Sequence, residues 1–132
     1  MPALAAANSC VLSVFDNLFN LLTCASVTIS RCALSGNSAY SGAPGDFAQL
    51  VEGGGIYNES GTVIISDSDL TGNGAVYGGG IFNSGMLTIG YYSSVTGNSA
   101  SVGPDVDNGG VLYLQGGSTI GVLEGNSAIS IP

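Results

Sequence analysis

The sequence predicts an all-β chain, a right-handed single-stranded parallel β-helix (solenoid) of about four coils with a short N-terminal capping helix. Three observations carry this. The segment "GGGIYNESGTVIISDSDLTGN" at 53–73 returns 25 positions later as "GGGIFNSGMLTIGYYSSVTGN". Within each copy the aliphatics fall two apart, the spacing that places them on one face of a strand. Glycine and asparagine recur as regularly as the aliphatics do.

Three columns share the period: Gly53, Gly78 and Gly103; Ile56, Ile81 and Val106; Asn58, Asn83 and Asn108. A second set comprises "SVTIS", "TVIIS", "MLTIG" and "VLYLQ", with inward pairs Val27/Ile29, Val63/Ile65, Leu87/Ile89 and Leu112/Leu114. A third set, "ALSGN", "DLTGN", "SVTGN" and "VLEGN", offers Leu34, Leu70, Val95 and Leu123, each three residues before an Asn. Three short strands in 25 residues leave no room for crossover helices. One turn per repeat, with parallel pairing to the next turn at about 4.8 Å, satisfies the pattern.

Corners explain the glycines and asparagines. A corner needs positive φ or close backbone approach, which Gly gives freely and Asn tolerates. Asn37, Asn73, Asn98 and Asn126 are expected to stack as one ladder of amides, and Asn58, Asn83 and Asn108 as another.

The chain divides into an N-terminal cap, 1–25, and the repeats, 26–132. Val11, Phe15, Leu18, Phe19 and Leu22 recur at helical spacing, which predicts a helix over 10–23; the rival is a degenerate coil, because "VLSVF" also reads as a strand. Asn37 to Gly53 spans sixteen residues where the other repeats span five, so an insertion loop occupies 40–52. Loops on rigid scaffolds are where binding concentrates, which makes Tyr40, Asp46 and Phe47, with Gln49 and Glu52, candidate contact residues. The last coil, ending in "SAISIP", is expected to leave an open edge, met by a continuing solenoid or by end-to-end association with another subunit.

Composition narrows the partners. Nine carboxylates against one basic residue, Arg31, give a net charge of −8. Such a chain cannot neutralise phosphates, so nucleic acid and anionic membrane surfaces are excluded as partners. No apolar run is long enough to span a bilayer, so this segment does not insert in a membrane. Cys10, Cys24 and Cys32 leave a Cys24–Cys32 bridge and buried thiols both open. "MPALAAANSC" lacks the basic residues of a secretory leader: either a leader has been removed, the chain begins inside a longer one, or export takes another route.

"GGGI" followed by "LSGN", "LTGN", "VTGN" or "LEGN" resembles the polymorphic outer membrane protein repeats, in which a GG-aliphatic motif alternates with F-x-x-N. It is similar also to bacterial and algal right-handed β-helix surface proteins. The resemblance covers about residues 26–126, with Leu or Val in place of Phe. It implies an exported adhesin passenger, secreted or at the cell surface, with a protein or glycan as partner.

Outward positions supply candidate sites. Tyr57 and Phe82 fall on consecutive coils as an aromatic strip, suited to a sugar ring or a protein. A rank of Thr28, Ile64, Thr88 and Tyr113 is too broken to match ice. β-Helices also host polysaccharide lyases and hydrolases, and glycoside hydrolysis needs two carboxylates roughly 5 to 9.5 Å apart. Asp67/Asp69 and Asp105/Asp107 each sit two residues apart, about 6.6 Å in extended chain and on one face. With Arg31 the only basic residue and no histidine, these pairs lack the partners such chemistry wants. The pattern offers no zinc, calcium-roll or phosphate-loop motif, so no metal or cofactor is expected. The sequence therefore points to a non-enzymatic binding or display protein, with a carbohydrate-active enzyme as the alternative.

Overall fold

The computed structural model describes residues 10–11, 20–21, 26–39 and 51–132. Among them every regular element is a strand. Five coils follow one another, each with three strands. The first holds β1 (Cys10–Val11), β2 (Asn20–Leu21) and β3 (Ser26–Ser30). The second holds β4 (Cys32–Ser35), β5 (Ile56–Asn58) and β6 (Thr62–Ser66); the third, β7 (Asp69–Thr71), β8 (Ile81–Asn83) and β9 (Met86–Gly90). The fourth holds β10 (Ser94–Val95), β11 (Val106–Asn108) and β12 (Val111–Gln115); the fifth, β13 (Thr119–Ile120), β14 (Leu123–Gly125) and β15 (Ile129–Ile131).

Corresponding strands stack into three five-stranded parallel sheets. Sheet 1 is β1-β4-β7-β10-β13, sheet 2 is β2-β5-β8-β11-β14 and sheet 3 is β3-β6-β9-β12-β15. The register repeats the sequence columns: Ile56↔Ile81↔Val106 in sheet 2 and Val63↔Leu87↔Leu112 in sheet 3. This is the parallel β-helix the repeat predicts.

Aliphatic columns fill the interior. Leu34, Leu70 and Val95 enter from sheet 1, Ile56, Ile81 and Val106 from sheet 2, and Val63/Ile65 and Leu87/Ile89 from sheet 3, all fully buried. Each such side chain contributes about 1.5–3 kcal/mol. Because one aliphatic stacks on the next, no layer depends on a distant contact.

At one corner Gly53, Gly78 and Gly103 have φ of +67°, +61° and +57°. A Cβ at Gly78 would strike the carbonyl of Ile81, and at Gly53 that of Ile56, so only glycine fits.

Three expectations change. The chain has five strands per sheet rather than about four coils. The two ends of the expected 10–23 helix, Cys10–Val11 and Asn20–Leu21, are instead strands paired in parallel with β4 and β5, as the rival coil reading has it. Backbone pairing to an existing sheet edge satisfies those N–H and C=O groups, and 12–19 lie outside the described residues. Finally, "VLEGN" does not join the third sequence set. Leu123 pairs with Val106 in sheet 2, and Ile120 is the residue stacked on Val95.

That last shift narrows the fifth coil. Leu70 and Val95 are each followed eleven positions later by their sheet 2 counterparts, Ile81 and Val106, whereas Ile120 is followed by Leu123 after three. The corner bearing the first Asn ladder is therefore missing from the fifth coil.

Candidate functional site

Polar groups inside the coils form three columns. In the first, Asn37 Nδ2 donates to Asn73 Oδ1 and Asn73 Nδ2 to Asn98 Oδ1, both at 3.0 Å. In the second, Asn58 Nδ2 donates to Asn83 Oδ1 at 2.7 Å and Asn83 Nδ2 to Asn108 Oδ1 at 2.8 Å. Asn126 belongs to neither as a rung: its backbone oxygen accepts from Asn108 Nδ2, and its own amide donates to the carbonyls of Gly109 and Gly110. The shortened fifth coil carries it past the first ladder's corner.

The third column escaped the sequence reading. Ser68 Oγ accepts from Cys32 N at 3.0 Å, and Ser93 Oγ from Ser68 N at 3.2 Å. Each hydroxyl donates back to a nearby carbonyl, Ser68 to Ser66 and Ser93 to Gly90. The buried Cys32 thiol occupies the same position and donates to the Ser30 carbonyl in the same way. A signal was present, since Cys32, Ser68 and Ser93 each precede a ladder Asn by five residues. Cys10 is described only as a strand residue and Cys24 lies outside the described residues, so of the two readings left open, a Cys24–Cys32 bridge or buried thiols, the structure describes only the buried Cys32.

The candidate carboxylates separate. Asp105 is buried at the vacated corner: its Oδ1 accepts from Asn98 N and Nδ2, and its Oδ2 accepts from Val122 N. Asp107 points the other way, half-buried on the outer face of sheet 2 between the buried Val106 and Asn108. The two do not share a face, contrary to the extended-chain expectation, because the chain turns the corner between them. Asp67 and Asp69 are exposed, flanking the buried Ser68, with Asp67 at a corner where its φ is +47°.

The outer face of sheet 2 carries Tyr57, Phe82, Asp107 and Glu124 in register. Tyr57 and Phe82 are stacked, with centroids 5.4 Å apart and planes 14° from parallel. Their facing surfaces are used on each other, and both residues are half-buried. The Tyr57 hydroxyl lies beside the Glu52 carboxyl, close enough to influence its titration. Burial raises the Glu52 carboxyl above its ordinary range, the Tyr57 hydroxyl opposes this, and the charges of Asp107 and Glu59 add to it. Burial, then the charge of Glu124, raises Asp107 likewise. Glu124 in turn accepts a hydrogen bond from Gly103 N. Of the insertion candidates, Tyr40, Asp46, Phe47 and Gln49 lie outside the described residues, while Glu52 is half-buried and bridges to Tyr77.

Sheet 3 differs. Its strands read SVTIS, TVIIS, MLTIG, VLYLQ and ISI, without one charged residue. Ile64, Met86, Val111 and Ile129 are exposed on it, and Tyr91 and Tyr92 stand at its corner. These tyrosines were missed because sequence reasoning followed strand alternation, and a corner obeys none. Among the described residues no group of three or more Asp, Glu or Cys is arranged to hold a metal, and no helix is long and apolar enough to cross a membrane. No family model, curated protein or solved structure matches the chain.

Proposed function

We propose that the chain is a non-enzymatic, secreted or cell-surface β-helix that acts by contact, in adhesion or display. The observation that supports this is the segregation of its outer faces. Sheet 3 is uncharged and exposes large apolar side chains, while sheet 2 carries the acidic column of Asp107 and Glu124 beside Tyr57 and Phe82. A stack fixed by aliphatic and asparagine columns holds such faces rigid, so binding there loses little side-chain and loop freedom. The likeness of "GGGI" and "LTGN" to polymorphic outer membrane protein repeats favours an exported setting. A protein or glycan at a cell surface is the partner, and the 40–52 loop belongs to this reading as a further contact region. The edges of β13, β14 and β15 offer unpaired backbone groups for end-to-end association or a continuing coil.

A carbohydrate-active enzyme is the second reading, favoured by the two exposed carboxylates Asp67 and Asp69 on one edge. The double substitution Asp67→Asn, Asp69→Asn separates the two. Under the contact reading, binding of the labelled chain to cells is unchanged and no sugar release is lost. Release of reducing ends by wild type that disappears in the double variant would establish the enzyme instead.

A further inference from the structure

Tyr91 and Tyr92 are consecutive non-glycine residues at φ +48° and +59°, left 60% and 78% exposed. The same corner has the single residue Asp67 one coil back and the pair Gly116-Gly117 one coil on. Gly117 gives the Tyr92 ring its seat: a Cβ there would lie 2.7 Å from two of the ring carbons. The ring thus rests against backbone on one side and is open elsewhere, and its position is fixed by a conformation that glycine would adopt more readily. Beside it lies the uncharged face of sheet 3, where Ile64, Met86, Thr88 and Tyr113 alternate apolar surface with hydroxyls.

Resting on the contact reading above, we infer that this corner and face form a binding site for a neutral glycan. Charge selects the ligand. The chain's net charge of −8 repels an anionic polysaccharide, the strands of sheet 3 carry no carboxylate for a cationic segment, and the one at the adjoining corner, Asp67, is followed a coil further back by Arg31, so the corner has no net charge of its own. An uncharged sugar has apolar C–H faces for the tyrosine rings and hydroxyls for the threonines and Gln115, the pattern of a mostly apolar site with a few placed polar groups. Size argues against a second copy: four strands of five residues and one of three give a face on the order of 350 Å², well under the roughly 800 Å² per partner of a stable protein interface.

Native electrophoresis through gels cast with dextran, mannan or a β-glucan, and separately with polygalacturonate, tests this. Wild type should be retarded by at least one neutral polymer and not by polygalacturonate. Tyr92→Gly, which suits the backbone and keeps the fold, should weaken that retardation at least tenfold, while Ser35→Ala on the exposed face of sheet 1 should not. No retardation by any neutral polymer, retardation by polygalacturonate alone, or equal retardation of Tyr92→Gly would overturn the inference. A solution dimer that Tyr92→Gly converts to monomer would also overturn it, making a second copy the occupant. Binding of the labelled chain to bacterial, algal and animal cells, before and after periodate destroys their glycans, separates the two levels. Binding that survives periodate contradicts the glycan and keeps the contact reading; binding to none of them before or after treatment contradicts both.

Discussion

Asp105 takes the place of the next rung above Asn98: one carboxylate oxygen accepts from the Asn98 backbone N at 3.0 Å and from its side-chain Nδ2 at 2.9 Å. Each rung below donates its amide to the oxygen of the next, so the last donor needs a group that only accepts. A carboxylate is that group. Its second oxygen, turned to Val122 N at 2.8 Å, closes the narrowed fifth coil onto the fourth.

Inside the second ladder the requirement is opposite. Asn83 Nδ2 donates to Asn108 Oδ1 and to the carbonyl of Val111, so Asn83→Asp sets oxygen against oxygen and buries a charge. Asn83→Ala takes the donor from Asn108 Oδ1 and one of three acceptors from the Asn58 amide, which keeps the carbonyls of Gly61 and Met86, and should cost about 1–3 kcal/mol. Asn83→Asp should cost more than Asn83→Ala at pH 7, and the excess should shrink as the pH falls and the acid is protonated. Urea unfolding at pH 7 and pH 4 checks both.

Gly78→Ala should be among the most destabilising single substitutions outside the aliphatic core. Positive φ in an L-residue costs roughly 1–2 kcal/mol, and a Cβ there meets the backbone of Ile81 and Phe82, which cannot move without breaking β8. Thermal unfolding should fall well below that of Gly36→Ala, whose added Cβ meets nothing within 4 Å at a similar φ of +69°.

The half-buried carboxyls on sheet 2 give a pH dependence of defined sign. Glu52 and Asp107 hold their protons more tightly than ordinary carboxyls, whose values are 4.5 and 3.8. Between those values and the raised ones the folded state binds more protons than the unfolded, so their contribution to stability increases as pH falls through that window. Above that window, and so toward neutral pH, both destabilise the fold. Glu52→Gln and Asp107→Asn should therefore each stabilise the fold at pH 7, by less than roughly 1 kcal/mol because solvent screens them. The gain should vanish toward pH 4, as urea midpoints measured across that range will show.

Most of the architecture was legible because it is periodic. A residue that recurs every 25 positions, such as Ile56, Ile81 and Val106, reports strand, face and register together. The two ladders were readable for the same reason. What the repeat could not reveal is where it fails. Leu123 and Asn126 look like another "LTGN" corner, yet the chain shortens the fifth coil and moves Leu123 to sheet 2, a choice set by stacking on Val106 rather than by local pattern. Asp105 read as half of a carboxylate pair, because only its contact with Asn98 reveals that it ends a ladder. Tyr91 and Tyr92 were hidden by their corner, and Tyr57 and Phe82 were correctly placed outside but are stacked on one another.

Equilibrium urea unfolding of Asp105→Asn and Asp105→Ala against wild type tests the account most directly, because it separates a structural carboxylate from a catalytic one. An amide at this position can still accept from Asn98 but turns a donor toward Val122 N, leaving one part-buried N–H without its acceptor at about 1 kcal/mol. Alanine removes the acceptor of both the Asn98 and the Val122 backbone N–H, while Asn98 Nδ2 keeps the carbonyls of Leu70 and Thr96. Stability should fall in steps, wild type above Asp105→Asn above Asp105→Ala. Wild-type urea midpoints in both variants would contradict it, and would return Asp105 to the set of residues available for chemistry.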